Sequence, residues 1–380
     1  MRRILPFVAA LITLSPSVGL AGGDGDHDRD DRRRFKHIFL IMMENHGTDQ
    51  ILGNHVDAPF INELAGHSGV AWRYYGVTHP SLPNYLALFS GSIQGIWDDC
   101  KAGPTSMCGP EEFVPGSGDA TDGSYLTAAQ IASASAQAHW FSAKNLVDQI
   151  ESSKRSWKGY MQSMPATGGI DVEYAPIIGG TTVKLYAQKH NPFAYFTDIR
   201  NNPQRVKNVV PLEGNLDSDL ASGKVADFVW ISPDQCNDMH GISASTASLV
   251  NNTACGFPAA GLDHGAISLG DAFLKDTVHK IVHSDAWNDG SALIIVWDED
   301  DYTGFAGAPG SPIGDKGWVL GGSRAPAIVF TSDSFRHRTS FKRTNHYSLL
   351  GTIEKLWDLG CLGETCNLDE GNLLLELFDR

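Results

Sequence analysis

The stretch from Ile38 to Gly47, IFLIMMENHG, changes abruptly from apolar to polar residues after Met43, and this change indicates the fold. A continuous apolar run of this length is typical of a strand that is buried on both faces of a parallel sheet. Similar runs lie at 227–231, 292–297 and 327–330, with helical patterns between them. Because strands and helices alternate, we predict an α/β fold with a mainly parallel sheet sandwiched by helices.

Polar residues follow three of these strands at the point where each strand ends. They are Glu44 and Asn45 after the first strand, Asp238 and His240 in the loop after 227–231, and Asp298, Glu299, Asp300 and Asp301 after 292–297. Ligands of open α/β sheets bind at the carboxyl ends of the strands. Ordinary solvated turns are the alternative, but so many acids repel one another unless a cation lies among them. We therefore expect a divalent metal site at this edge.

The turn from Thr78 to Tyr85, THPSLPNY, precedes a short apolar helix that reads from Leu82 to Ser90 and ends at Gly91. This pattern places Ser81 at the helix N-cap, and Pro83 suits a first helical turn. A serine there lies among unpaired backbone NH groups at the positive end of the helix dipole, which favours an alkoxide and a bound phosphate. The alternative is that Ser81 only caps the helix.

Three further segments carry weaker signals. The aromatic and basic stretch 186–193 is either a packed loop or a loop that brings Lys189 and His190 to a phosphate. His346 precedes a predicted amphipathic helix at 347–357 and is either a capping residue or a ligand. Apolar spacing predicts another helix, from a Ser268 cap through Val282.

The amino terminus has the pattern of a secretory signal. A basic Met1-Arg2-Arg3, an apolar run at 4–14 and small residues near Ala21 predict a signal peptide over 1–21. The charged segment 22–35 is predicted to be a disordered tail, and 36–380 a single domain. No other apolar stretch is long enough to span a membrane, so we expect a secreted or periplasmic protein without stable membrane insertion.

Cysteine spacing and net charge constrain compartment and partners. The six cysteines lie in near pairs, Cys100 with Cys108, Cys236 with Cys255 and Cys361 with Cys366, which favours three local disulfides. Six cysteines allow fifteen pairings in principle. The formal net charge of -15 argues against a nucleic acid partner. An anionic substrate therefore needs a local positive centre, such as a metal.

The collected residue types predict phosphoryl transfer. Carboxylates and imidazoles together suit zinc, manganese or a similar divalent ion, and one or two such ions are expected. Two ions about 4 Å apart clamp the attacking and leaving oxygens of an in-line displacement. A serine bound to one ion ionises more easily and can attack phosphorus.

Five ordered motifs resemble those of a known family. They are MMENHG at 42–47, THPSLPNY at 78–85, NDMH at 237–240, VWDEDD at 296–301 and NHYSLL at 345–350. From about Phe35 to Leu359 the chain resembles bacterial secreted phosphoesterases of the acid phosphatase and phospholipase C group. This group belongs to the alkaline phosphatase-like superfamily and includes mycobacterial members that act on phosphatidylinositol 3-phosphate. The resemblance implies an acid phosphatase whose substrate is a phosphorylated small molecule or a phosphoinositide headgroup.

The resemblance also assigns roles to individual residues. It implies that Glu44 and Asn45 bind a metal, that Ser81 is the metal-bound nucleophile, and that Asp298 and Glu299 bind the same ion. Where relatives have two aspartates, this chain has Asp298-Glu299. The residues Asp238, His240 and His346 are expected on a second ion or on the phosphate, and the expected substrate-binding residues are Asn84, Lys189, His190 and His79.

A sulfatase, a non-catalytic binding protein and a phosphodiesterase are the alternatives to this function. A sulfatase on the same fold needs an arginine four residues after the nucleophile, where this chain has Tyr85. A non-catalytic, metal-stabilised binding protein has no use for a serine at the helix start. A phospholipase C-type phosphodiesterase remains open, because nothing in these motifs distinguishes a monoester from a diester.

Overall fold

The computed structural model describes residues 35–110, 128–300, 322–333 and 336–378. The predicted signal peptide at 1–21, nearly all of the predicted charged tail, and Asp301 lie outside the described residues. The single domain predicted for 36–380 stays a prediction.

The strands form one large sheet and two small ones. In chain order they are β1 (His37–Met43), β2 (Gly69–Ala71), β3 (Tyr74–Tyr75), β4 (Trp157–Met161), β5 (Tyr174–Ile178), β6 (Thr181–Ala187), β7 (Val209–Pro211), β8 (Phe228–Ser232), β9 (Ser291–Trp297), β10 (Ala327–Thr331), β11 (Arg338–Ser340) and β12 (Thr344–Asn345). Within the described chain the large sheet has the order β11-β2-β10-β9-β1-β8-β4-β7, β3 pairs with β12, and β5 with β6 forms a hairpin.

Helices connect these strands. They are α1 (Thr48–Ile51), α2 (Pro59–Ala65), α3 (Ser81–Ser90), α4 (Ala128–Ala136), α5 (Leu146–Ser152), α6 (Thr197–Arg200), α7 (Pro203–Val206), α8 (Asn215–Ser222), α9 (Ala244–Leu249), α10 (His264–Val282), α11 (Asp285–Asn288) and α12 (His346–Trp357). Short 3-10 helices span Gln188–His190, Pro192–Tyr195, Thr253–Cys255, Gly363–Asn367, Glu370–Asn372 and Leu375–Leu377.

The large sheet is mainly parallel, as predicted. Strand β1 pairs in parallel with β8 and β9, and β4 pairs in parallel with β7 and β8. Strand β10 is the exception, because it runs antiparallel to β9 and β2. Every residue of β1 and β9 is buried, as the continuous apolar runs require. The α/β prediction is therefore confirmed.

The register of the central strands determines where the polar strand ends meet. Met43, the last residue of β1, lies opposite Trp297, the last residue of β9. The residues that follow, Glu44 and Asp298, therefore leave the sheet side by side. Strand β8 flanks β1 on its other side, so the loop after β8 enters the same edge.

Two predicted elements differ from the structure. The β-branched and aromatic content of 70–75, VAWRYY, predicts one strand, but in the structure β2 joins the large sheet while β3 pairs with β12. Helix α10 begins at His264 after an Asp263 cap, rather than after Ser268. Asp271 therefore lies inside α10, where its carboxylate accepts the backbone NH groups of Phe60 and Ile61 at 3.2 and 2.8 Å. It supplies partners for the start of α2, which the chain preceding that helix does not provide.

The three predicted disulfides, Cys100–Cys108, Cys236–Cys255 and Cys361–Cys366, are formed in the structure. Among the described residues, no helix combines the length and the hydropathy that a membrane span requires.

Candidate active site

The strand ends at the centre of the sheet bring three carboxylates into one buried cluster. The Glu44 backbone NH donates to the Asp238 carbonyl oxygen at 2.8 Å, and the Asp298 NH donates to the Met43 carbonyl oxygen at 3.1 Å. The side chains of Glu44, Asp238 and Asp298 are all fully buried. Acids predicted from separate stretches of sequence thus meet at one point.

Ser81 lies in this cluster, at the first residue of α3. Its Oγ donates to Glu44 Oε2 at 2.9 Å and lies 3.3 Å from Glu299 Oε1. The helix N-cap is Pro80, and no side chain caps this helix. The alternative in which Ser81 only caps the helix is therefore not supported, because its hydroxyl contacts carboxylates rather than backbone NH groups.

Burial leaves the cluster with uncompensated negative charge. Burial raises the pKa of Glu44 to about 7, although Lys189 opposes this shift. The pKa values of both Asp238 and Asp298 are raised well above the usual range. Burial is the larger cause, and repulsion from Glu44 is the second. Both carboxylate oxygens of Asp298 are buried without a hydrogen-bond partner in the described part of the chain. Such groups are costly unless a proton or a cation neutralises them.

His190 contacts these acids with both ring nitrogens, although it was expected to bind substrate. Its Nε2 lies 3.2 Å from Glu44 Oε1, and its Nδ1 lies 3.2 Å from Asp238 Oδ2. One ligand atom from each of Glu44, His190 and Asp238 lies within 4.8 Å of the others. Burial, followed by the charge of Lys189, lowers the pKa of His190 well below its usual value. A neutral imidazole is the form that binds a metal.

These donors fit a divalent cation. Buried carboxylates with unpartnered oxygens and a neutral imidazole match the ligands that zinc or manganese prefers. Asn45 follows Glu44 and is half-buried, and its amide makes no hydrogen bond to the described residues. Glu44, Asp238, His190 and Asp298 are therefore the best-placed candidates to hold an ion.

Lys189 places positive charge beside the serine, and its predicted contact with a phosphate stays a prediction. Its Nζ lies 3.5 Å from Ser81 Oγ and donates to Asp99 Oδ2 at 2.7 Å. Burial alone lowers the pKa of Lys189, but the charges of Asp99 and Glu44 more than offset burial and raise it. The other oxygen of Asp99 accepts the Leu82 NH at 2.9 Å, so Asp99 links the lysine to the start of α3.

His240 lies apart from the acid cluster. Its Nδ1 donates to the Gly241 carbonyl oxygen at 2.8 Å, and its Nε2 lies 3.4 Å from Lys189 Nζ. Burial and the lysine charge lower its pKa to about 3, so it is neutral. It lines a cavity of about 490 Å³ together with Lys189 and Asp99. His240 was expected on a second ion or on the phosphate; its ring lies beside Lys189 in the cavity lining, and the phosphate contact stays a prediction.

His79 and Asn84 were expected to contact substrate, and both are instead tied to protein groups. His79 Nδ1 lies 2.9 Å from Glu299 Oε2, and its Nε2 lies 3.1 Å from Asp300 Oδ1. Asn84 Oδ1 accepts the backbone NH groups of Val77 and Thr78 at 2.7 and 3.2 Å. Its Nδ2 donates to the Thr78 carbonyl oxygen at 2.7 Å and to Glu299 Oε2 at 3.1 Å. Asn84 thus holds the turn that precedes Ser81.

His346 also differs from expectation. Its Nε2 contacts the Asp298 carbonyl oxygen at 2.6 Å, and its Nδ1 contacts the Tyr74 hydroxyl at 2.6 Å. Burial lowers its pKa to about 4. Since protein atoms occupy both ring nitrogens, this geometry favours a role in positioning the Asp298 backbone over a role as ligand.

Sequence reasoning missed Tyr85 and Asp99. The Tyr85 hydroxyl donates to Glu44 Oε1 at 2.5 Å, and its ring stacks on His190 with centroids 5.3 Å apart. Tyr85 is four residues after Ser81, and this helical spacing is a signal that could have identified it. Asp99 had no comparable signal, because it reaches the site from a loop after α3.

The residues 54–360 match the model of the Phosphoesterase family. The chain belongs to this family. The match confirms the resemblance described for the sequence and supports the predicted class, a hydrolase of phosphoric esters.

Relatives are similar at low identity. The chain is 24% identical over 360 residues to a phosphatidylinositol-3-phosphatase of Mycobacterium tuberculosis, covering 95% of this chain and 87% of that protein. It is 22% identical over 329 residues to a probable acid phosphatase of Kluyveromyces lactis, covering 87% of this chain but only 60% of that protein. A solved structure of an alkaline phosphatase superfamily protein from Vibrio parahaemolyticus matches with 13% identity and a TM-score of 0.43, covering 87% of this chain and 68% of that chain.

The Asn84→Ala change tests whether Asn84 holds the turn. We expect it to lower the free energy of unfolding by about 3 kcal/mol, because two buried NH groups lose their acceptor. Urea unfolding of the substrate-free protein measures this. Asn201→Ala, at an exposed position, is the control and should change little. If both variants were equally stable, Asn84 would be free to serve as a phosphate contact, as first expected.

Proposed function

We propose that this chain is a metal-dependent phosphomonoesterase of the acid phosphatase type that uses Ser81 as its nucleophile. The observation that carries this proposal is the position of the Ser81 hydroxyl, which lies within hydrogen-bond distance of two buried carboxylates and 3.5 Å from Lys189 Nζ. A serine that only stabilises the fold does not require two buried carboxylates and a lysine around its hydroxyl. A nucleophile that attacks an anionic phosphate needs both activation and nearby positive charge.

The chain's own residues account for the first step. Glu44 accepts the Ser81 hydroxyl hydrogen bond at 2.9 Å and so orients Oγ. As Oγ attacks, its proton passes to Glu44 and a bond to phosphorus forms. The bond from phosphorus to the leaving oxygen breaks, and that oxygen takes up a proton from solvent. Lys189 neutralises part of the phosphate charge, and Asp99 keeps its ammonium near Oγ through the 2.7 Å ion pair. Water then hydrolyses the phosphoserine and restores the hydroxyl.

A divalent ion completes the site in this proposal. Glu44, Asp238, His190 and Asp298 would hold it, and Asn45 and Glu299 lie next to them in sequence. When bound, such an ion lowers the pKa of an alcohol and neutralises phosphate charge. It also offsets the burial and the repulsion from Glu44 that raise the pKa of Asp238 and Asp298.

The substrate class rests on the relatives. The mycobacterial relative's name specifies a phosphoinositide, and the yeast relative is called a probable acid phosphatase. We propose phosphorylated small molecules or phosphoinositide headgroups as substrates. Three disulfides favour work outside the cytoplasm, consistent with a secreted or periplasmic protein.

Ser81→Ala tests the nucleophile. We expect kcat on 4-nitrophenyl phosphate to fall at least about a thousandfold, because the attacking atom is removed. Stability should change by no more than about 1 kcal/mol, since the hydroxyl makes no helix cap. Ser90→Ala, at the far end of α3, is the matched control. Near-normal turnover of a folded, metal-loaded Ser81→Ala protein would rule out the covalent mechanism and point to a bound water as nucleophile.

A comparison of esters tests the substrate class. We expect a higher kcat/KM on 4-nitrophenyl phosphate than on bis(4-nitrophenyl) phosphate, because the similar proteins are named as phosphatases. Phosphatidylcholine provides the lipid diester for the same measurement. Preference for either diester would move the proposal to a phospholipase C-type phosphodiesterase.

Asp298→Asn tests the metal with a readout that does not need activity. In the metal-free protein, we expect this change to raise the free energy of unfolding by about 1 kcal/mol, because a buried carboxylate without partners is removed. The same variant should contain less metal by elemental analysis and gain less thermal stability from added zinc or manganese.

Asp234→Asn is the matched control for this test. Asp234 is also buried, but its carboxylate accepts the Ser163 hydroxyl at 2.7 Å and the Cys236 NH at 3.2 Å. Its replacement should lower stability and leave the metal content unchanged. If wild-type stability and activity were insensitive to a chelator, and no metal were present, the metal-dependent part of the proposal would be wrong.

A further inference from the structure

The cavity beside Ser81 is larger than a phosphoryl group requires. Its volume is about 490 Å³, and its lining includes Asp99 and Lys189, which contact Ser81 or the residue after it. The remaining lining includes Tyr174, Lys184 and Phe257, which come from the β5–β6 hairpin and from the segment after Cys255. Pockets of this size bury most of a small ligand. The space beyond Lys189 is therefore suited to a leaving group.

Lys184 is held beside this cavity without a counter-ion. Its Nζ lies 4.3 Å from the centroid of the Tyr174 ring. In the described part of the chain its ammonium forms no ion pair. The amide of the buried Gln235 donates to the Lys184 carbonyl oxygen, and the Gln235 NH donates to the Leu185 carbonyl oxygen at 3.0 Å. The backbone that carries the ammonium is thus anchored to the loop after β8.

The charge of Lys184 is not needed to balance the cavity. Among the described lining residues, the acidic and basic side chains are those of Asp99, Lys184 and Lys189. Asp99 forms an ion pair with Lys189 at 2.7 Å. The lining therefore carries one surplus positive charge in a chain whose formal net charge is -15. Phe257 presents an aromatic ring 5.9 Å from His240 and lines the same space.

We propose that Lys184 is a specificity residue that binds a second anionic group on the leaving group of the substrate. The preferred substrates are then phosphomonoesters of polyols that carry a further phosphate or phosphodiester. This inference rests on the proposed function, since it assumes that a phosphoryl group is bound near Ser81 and Lys189. A cation held over a ring and lacking a carboxylate partner is available for such a contact.

Competition kinetics test the proposal with 4-nitrophenyl phosphate as the reporter substrate. The inhibitors are inositol 3-phosphate, inositol 1,3-bisphosphate, short-chain phosphatidylinositol 3-phosphate and inorganic phosphate. In Lys184→Gln, the ratio of the inhibition constant of the bisphosphate to that of the monophosphate should rise about tenfold, because a hydrogen bond between two charged groups is lost. Lys184→Arg should restore the wild-type ratio.

Lys207→Gln is the matched control, because it removes one exposed positive charge away from the cavity. It should leave the ratio unchanged. A ratio that changes less than about twofold in Lys184→Gln, or equally in Lys207→Gln, would overturn the proposal. The inhibition constant of inorganic phosphate monitors the end of the cavity near Ser81, and a change there as large as for the bisphosphate would also count against a separate subsite.

The lipid arm identifies the source of the second anion. An effect of Lys184→Gln on both the soluble bisphosphate and the lipid supports recognition of the anionic group itself. An effect on the lipid alone, with an unchanged bisphosphate ratio, would overturn recognition of a second anionic group by Lys184. A wild-type protein that fails to hydrolyse 4-nitrophenyl phosphate and every phosphomonoester would overturn the proposed function and this inference together, whereas an active protein with an unchanged ratio overturns the inference alone.

Discussion

The parallel pairing of β1 with β9 is the constraint on which the site depends. Its register sets Met43 opposite Trp297, so Glu44 and Asp298 leave the sheet as neighbours. Both are fully buried, and their charges repel. A fold that brings acids together in this way is stable only where another charge offsets the repulsion. The residues around Glu44 and Asp298 supply contacts and positive charge that offset this repulsion.

The contacts differ between the two sides of the acid cluster. On one side, the Tyr85 hydroxyl donates to Glu44, and the neutral His190 ring lies 3.2 Å from both Glu44 and Asp238. On the other side, Lys189 brings a full positive charge within 3.5 Å of Ser81 Oγ, where Asp99 holds it. The serine lies between the acids and the ammonium. This arrangement separates the groups suited to hold a cation from the group suited to meet a phosphate.

Hydrogen bonds that do not take part in chemistry keep this geometry. Asn84 links the turn before Ser81 to Glu299, and His346 contacts the carbonyl oxygen of Asp298. Both residues stand in motifs that suggested direct contact with ligand. Their side-chain atoms are instead used by the protein. A motif can therefore identify the residues of a site correctly while leaving open which of them contact the ligand and which position the others.

The sequence by itself determined the α/β class, the buried strands, the disulfide pairs and the location of acids at strand ends. These follow from local patterns: continuous apolar runs, short cysteine spacings and abrupt changes in polarity. Local pattern also singled out Ser81 and Lys189, which lie 3.5 Å apart in the structure, while their catalytic roles stay predictions. It placed Ser81 at the N-cap, whereas Ser81 is the first helical residue, because sequence patterns locate a helix end only to within one or two residues. Sequence patterns also do not show whether a serine hydroxyl contacts backbone NH groups or distant carboxylates.

Only the tertiary structure determined which atoms each site residue contacts. The roles of Asp99, Tyr85, His190, His240 and His346 depend on atoms that are far apart in sequence and are brought together by strand order. Asp271 shows the same limit, since it lies inside α10 yet supplies hydrogen-bond acceptors at the start of α2. Hydrogen bonds and charge interactions act over a few ångströms in space, whereas sequence patterns report only on residues within a turn or a strand. Ligand roles at a site built from several strand ends are therefore decided by the packing of the sheet.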